Sequence, residues 1–412
     1  MAQQDCPDEP LPGHPWPGVQ QRADQWAAGT LLHPPLSLYV HLPWCVRKCP
    51  YCDFNSHEQR GVLQFEAYVD ALVADLDHDL PLVWGRTVQT VFFGGGTPSL
   101  FPPDAIDRFL QLASARLRFA PNAEITLETN PGTVEHGPFA GYRRAGVNRL
   151  SFGVQTFDDA CLQRLGRIHS SGDAVHAVQA ARDAGFANFN LDLMYALPGQ
   201  TLAMAEDDIE RAIALQPTHV SHYQLTLEPN TVFAARTPPG IPDEDSAWDM
   251  QERCQERLAA AGYAQYEVSA YALPGRQCAH NLNYWRFGDY LGIGAGAHGK
   301  LTLGAQQQVL RRWKVKHPTE YLLKAGTTAA IGGDEALSAG RLPFDFMLNA
   351  LRLNDGVPMS MFEARTGLPR AAIADRLAIA RERGWLEADD DWLRPTELGR
   401  RFGNDVIGLF LD

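Results

Sequence analysis

No apolar stretch in this 412-residue chain reaches the length of a bilayer-spanning helix, so at most peripheral membrane contact is expected. Basic charge is also scarce: 36 Lys and Arg stand against 49 Asp and Glu, for a formal net charge of −13. A field of that sign repels nucleic acid, which is not expected as a partner. A disulfide framework is missing too. The seven cysteines are odd in number, and Cys6, Cys161, Cys254 and Cys278 are scattered, so reduced thiols and a cytoplasmic location are expected. Near the start, Pro10, Pro12, Pro15 and Pro17 occur with acids and no apolar core, which excludes a secretory or transit signal and predicts a disordered Pro-rich lead over residues 1–33.

What the chain does have is concentrated at Cys45, Cys49 and Cys52, spaced C-x3-C-x2-C with no fourth cysteine nearby. Three thiolates can hold three irons of a [4Fe-4S] cubane and leave the fourth open to a ligand, whereas an electron-transfer cluster usually takes four. The same thiols with His41 or His57 would also make a Cys3His zinc tetrahedron. The apolar run of Leu38 and Val40 ahead of Pro43 and Trp44 favours the cluster, because small zinc modules rarely hang from a buried strand in a long chain.

Short β-rich runs alternate with helical stretches. Leu38–His41, Val88–Phe93, Glu124–Glu128, Arg149–Val154, Asn188–Met194 and Val220–Leu227 read as strands. Between them, Phe65, Val69, Leu72 and Leu76 recur at helical spacing, as do Ile106, Leu110 and Ala113, and Ala174, Val178 and Ala181. Six strands joined by helices predict parallel crossovers and an α/β fold, a partial (β/α)6 TIM-type barrel over residues 34–272. Chemistry in such barrels gathers at the C-terminal strand ends. There lie the cysteine loop, the Gly94, Gly95, Gly96 and Thr97 turn, Glu128, Gln155 and Asp192. The glycines exceed what a turn needs and suit close approach of a ligand, while no Lys-Ser/Thr pair follows to make a Walker loop.

These motifs resemble the radical SAM family of oxygen-independent coproporphyrinogen dehydrogenases and their relatives, over roughly residues 36 to 410. The segments that carry the resemblance are Tyr39 through Cys52, Phe92 through Ser99, Glu124 through Pro131, Leu150 through Phe157, Leu165 through Ser170 and Asn190 through Gly199. The resemblance implies a [4Fe-4S] cluster on the three cysteines, with S-adenosylmethionine (SAM) on its open iron, and a reductant as partner. By position, Tyr39, Gly95 and Glu128 match residues that contact this SAM. Tyr51, Gly96, Thr97, Gln155, Arg167 and Asp192 match contacts to a second SAM in the dehydrogenase.

Two departures bear on activity. The dehydrogenase has a further cysteine two positions after the triad; here that position is Phe54, which cannot act as a thiol. The segment His280, Asn281, Tyr284 and Trp285 is similar to the His-Asn-x-x-Tyr-Trp motif of the heme-chaperone branch of the group. That branch implies heme as cofactor and cargo, a heme acceptor protein as partner, and room for a dimer. His280 and Tyr284 are both candidate axial ligands, with Cys278 a third; a polar-aromatic turn packing under the barrel explains them equally well. The Gly292–Gly299 turn borders the SAM site in this group, and its His298 reads as structural or as a substrate contact. Residues 273–310 read as a linking segment. A family-specific, mainly helical C-terminal domain is expected over residues 311–412, in winged-helix order and with Arg370, Arg376, Arg381 and Arg383 opposed by acids.

Overall fold

A computed structural model describes residues 31–132 and 139–411; the predicted lead therefore lies, up to residue 30, outside the described residues. The six expected strands are present: β1 (Leu36–Leu42), β2 (Thr87–Gly95), β3 (Arg118–Thr129), β4 (Arg149–Gln155), β5 (Phe189–Tyr195) and β6 (His219–Gln224). Each pairs in parallel with the next. Helices cross between them, as in Phe65–Asp79, which buries Val69, Leu72 and Leu76, and Ser171–Asp183, which opens on a reciprocal Ser170/Asp173 capping box.

Beyond β6, the hairpin of β7 (Ala264–Glu267) and β8 (Ala270–Ala272) continues the sheet antiparallel. The chain then returns to the opposite flank. There β9 (Asp289–Ile293) pairs in parallel with β1, a seventh parallel strand that the sequence reading missed. Next, β10 (His298–Leu303), β11 (Gln308–Lys314) and β12 (Ile331–Ala336) extend the edge antiparallel. The segment read as a linker thus contributes β9, β10 and the start of β11 to the sheet, and residue 311 lies inside β11. That strand carries Arg311, Arg312 and Lys314 among its seven residues and so lacks an apolar signature. Lys314 is in fact fully buried, its Nζ held by Asp75 Oδ1 at 2.5 Å and Asp79 Oδ2 at 2.7 Å from the first helix.

A second core, which includes Leu337, Phe346, Phe362, Leu377 and Phe410, underlies the C-terminal helices. Helices Met359–Thr366 and Ala374–Glu382 are followed by Trp392–Leu393, which pairs with Val357–Pro358. Arg370 and Arg381 both bond Asp390, and Arg383 lies over the Trp385 ring, so these cations are engaged within the domain.

Alternate residues of a strand face opposite sides, and that alternation gives the barrel its polar lumen. Leu38, Val40, Val91, Phe93, Phe152 and Leu191 pack in the main core. Their neighbours Ser37, Thr90, Ser151 and Asn190 bond one another across the concave face.

Candidate cofactor site

Strand β1 ends by fixing the cysteine loop. Tyr39 Oη donates to His41 Nδ1 at 3.0 Å, and His41 Nε2 donates to the Asn55 carbonyl at 2.9 Å. Asn55 Nδ2 in turn reaches the carbonyls of Ala295 and Lys316, both at 2.9 Å, tying the loop to the segments that follow β9 and β11. Asn55 had no motif to announce it. The glycine turn is packed against the same loop: a Cβ on Gly95 (φ +119°) would meet the His41 ring at 2.6 Å, and one on Gly96 would meet the Trp44 carbonyl at 2.5 Å. Close packing on the protein's own side chains therefore demands these glycines, before any ligand is considered.

The three thiols are free and partly exposed, and each has its own hydrogen-bond donor. Thr97 bonds Cys45, Arg167 Nη1 lies 3.6 Å from Cys49 Sγ, and Ser56 Oγ lies 3.6 Å from Cys52 Sγ. Donors to sulfur suit thiolates on iron, and they are one of the levers that tune a cluster. Burial pushes the Cys45 thiol up to about 11 and raises Cys52, so charge on these sulfurs needs a metal to offset it. The single-ion alternative fits poorly. Among the described residues no three His, Cys, Asp or Glu groups converge to hold one metal ion. His41 is spent on Tyr39 and Asn55, and His57 Nε2 on Asn55 Oδ1 at 3.2 Å. A cubane places its ligands on separate irons and needs no such convergence.

Around the loop, the barrel mouth carries strained and perturbed groups. Glu128 Oε2 accepts from the Gly95 N–H at 3.2 Å, yet burial and the nearby Asp192 push its carboxyl up to about 8. Burial also raises Asp192, which is braced by Asn190 and Ser151 at 2.8 and 3.1 Å. Gln155 sits at φ +71° and accepts from Tyr223 Oη at 3.0 Å. Arg167 Nη2 donates to the Gly153 carbonyl at 2.7 Å, while its buried Nε has no partner. Tyr51, beside Arg167 and Cys49, packs against Phe233 with ring centroids 6.3 Å apart. The nine residues expected to contact SAM thus gather at one end of the barrel, with the cysteines.

Residues 39–212 match the Radical SAM superfamily and residues 337–402 the HemN C-terminal domain. The heme chaperone HemW of Escherichia coli (strain K12) is 49% identical over 92% of this chain and 98% of its own length. That of Haemophilus influenzae is 48% identical, with 92% and 98% covered. The chain belongs to the HemW family. Among solved structures, coproporphyrinogen III oxidase (HemN) from Escherichia coli superimposes with a TM-score of 0.76 at 25% identity, over 95% of this chain and 93% of that one.

In this HemW-family chain the His-Asn-x-x-Tyr-Trp segment is the helix Ala279–Trp285, which plugs the lumen at the opposite end from the cysteines. Glu124 of β3 caps it, accepting from Ala279 N at 3.1 Å, His280 N at 3.0 Å and Cys278 Sγ at 3.5 Å. Thr90 Oγ1 gives its proton to Ser37 Oγ, so at 2.7 Å it accepts from His280 Nδ1–H; His280 Nε2 then accepts from Tyr284 Oη at 2.9 Å. Burial depresses the imidazole to about 3. Neither nitrogen has a free lone pair, so as an axial ligand His280 would first have to lose Tyr284. Cys278 is equally enclosed, and burial raises the Tyr284 phenol, disfavouring the phenolate that would bind iron.

Tyr284 does reach open space. With Tyr39, Trp285, Tyr290 and Cys52 it lines a cavity of about 850 Å³ between the cysteine loop and β10–β11. Phe54 stands on its wall, 65% exposed and outside the core.

Proposed function

We propose that the chain binds heme and passes it to acceptor proteins, on a core that holds a [4Fe-4S] cluster and SAM. The observation that carries this reading is the cavity beside Cys52: about 850 Å³, walled by flat aromatic rings and rimmed by Lys48, Arg311 and Lys316 in an acidic chain. A flat macrocycle with two carboxylates has that complementary shape and charge. Whole-length identity with proteins named heme chaperones supports it.

Cys45, Cys49 and Cys52 would hold the cluster, and the chemistry it supplies with SAM is one-electron reduction of the sulfonium. The protein's part is placement. Glu128, raised beside Asp192, gains most from a cationic amino group. Gln155, Arg167, Asp192, Tyr51 and Thr97 complete the polar wall. A one-electron donor would meet the loop from its outer side, where Arg47, Lys48 and Arg164 line a second cavity of about 560 Å³. Among the described residues no helix is long and apolar enough to cross a membrane.

The test is an anaerobic titration of the full chain with ferric heme, followed by mixing with an apo heme protein. A saturable Soret band that moves to the acceptor is expected. Formation of protoporphyrinogen from coproporphyrinogen III, with SAM and reductant present, would overturn the chaperone reading in favour of an enzyme.

A further inference from the structure

Three histidines line the 850 Å³ cavity, His41, His57 and His298, and two of them are spent. His41 uses both nitrogens on Tyr39 and Asn55; His57 bonds Asn55 Oδ1 and the Lys316 backbone. His298 is exposed, and among the described residues it has no hydrogen-bond partner. Its ring lies against Trp313, centroids 6.2 Å apart and planes 23° from parallel, which fixes its direction without using a nitrogen. The turn that delivers it is held tightly to the cysteine loop: Gly296 (φ +76°) comes so near that a Cβ would meet Asn55 Nδ2 at 2.2 Å.

The charge around His298 is mainly positive. Among the described residues that line the cavity, one acid, Asp53, stands against Lys48, Lys300, Arg311 and Lys316. Lys300 is spent on buried Asp289 at 2.9 Å. Lys316 is exposed with no carboxylate partner among the described residues. Arg311 is 32% exposed and bonds Asp345 through Nη2 at 3.2 Å, leaving Nε without an acceptor. Trp285 Nε1, on the same wall, also donates to nothing. Desolvation and the two neighbouring cations hold His298 below its usual value, so the ring is neutral, as a metal ligand must be.

Resting on the heme reading above, we infer that His298, and not the motif histidine His280, is the iron ligand of heme in this cavity, with Arg311 and Lys316 receiving the propionates. Histidine is a common axial ligand, and arginine suits a carboxylate through paired donors. The motif helix then contributes walls, Tyr284 and Trp285, instead of a ligand.

The experiment is a ferric heme titration of the full chain, read by the Soret band and by electron paramagnetic resonance. His298→Ala is expected to shift the band and weaken binding at least about tenfold, and added imidazole to restore the wild-type spectrum. Heme esterified at both propionates should bind the wild type about tenfold more weakly, and Lys316→Ala should weaken native heme while leaving the ester unaffected. An unchanged band in His298→Ala, or a lost band that imidazole does not restore, overturns the ligand while the heme reading stands. An ester that binds as well as native heme overturns the propionate contacts. No saturable band in the wild type overturns both readings together.

Discussion

The two ends of the barrel lumen are built from the same strands and both are polar, yet they differ in how far their polar groups are satisfied. At the plugged end, Glu124, Thr90, Ser37, His280, Asn283 and Tyr284 are joined by hydrogen bonds, so the imidazole is sealed, although Arg149 Nε beside Glu124 has no partner and Tyr284 also reaches the cavity. At the cysteine end, Glu128 is pushed up to about 8, Arg167 Nε is orphaned and Gln155 holds a left-handed backbone. A buried network that closes on itself stabilises a fold, whereas one left open is a place for a ligand. Of the three heme-ligand candidates in the sequence, His280 and Cys278 are sealed at the plugged end, while Tyr284 reaches the cavity.

The sharpest way to break this contrast is at the open end. Replacing Cys45, Cys49 and Cys52 together with Ser should abolish iron and sulfide uptake, read by absorbance and metal analysis, while far-UV circular dichroism stays unchanged. Next in size is the closed end. His280→Ala should cost about 2–4 kcal/mol in denaturant unfolding, from the lost volume and the stranded Thr90 and Tyr284 hydroxyls, with the heme band kept in place. A His280 variant as stable as wild type but without a heme band would invert the comparison. Glu124→Gln should cost about 1–2 kcal/mol, because a neutral amide caps the plug helix less well than a carboxylate.

The smallest effect is a pH dependence. Glu128 ionises in the unfolded chain near its ordinary value but only at about 8 when folded, so between those values the folded state binds more protons. Stability is therefore lost as pH rises through that window. Glu128→Gln removes the term, so the variant should gain in melting temperature relative to wild type between pH 5 and 8. Bound SAM should shrink the difference, since its amino group favours the carboxylate.

How much of this was legible depended on periodicity. Short β-rich runs marked β1, β2, β4, β5 and β6 to within about three residues, β3 begins six residues before the expected Glu124, and the cysteine spacing marked the cluster loop. β9 was missed because glycine and tyrosine blur its pattern, and β11 because its charges find buried partners far away in sequence, as Lys314 does with Asp75 and Asp79. The glycine turn was read for a ligand, but Tyr39, His41 and Trp44 explain it by packing. No local signal separates His280 from His298. Which one is sealed depends on Thr90, Ser37 and Glu124, brought in from distant strands.

The pairing of β9 with β1 also orders events in time. Leu36 finds its partner Asp289 only after most of the chain has left the ribosome, and the plug helix lies just upstream of that strand. Until then β1 has an open edge and the cysteine loop lacks its anchor on Ala295 and Lys316. Such long sequence separations slow folding and expose unpaired strands during synthesis. Cluster assembly should therefore follow completion of the sheet: a chain stopped before Asp289 should fail to retain iron even with all three cysteines intact.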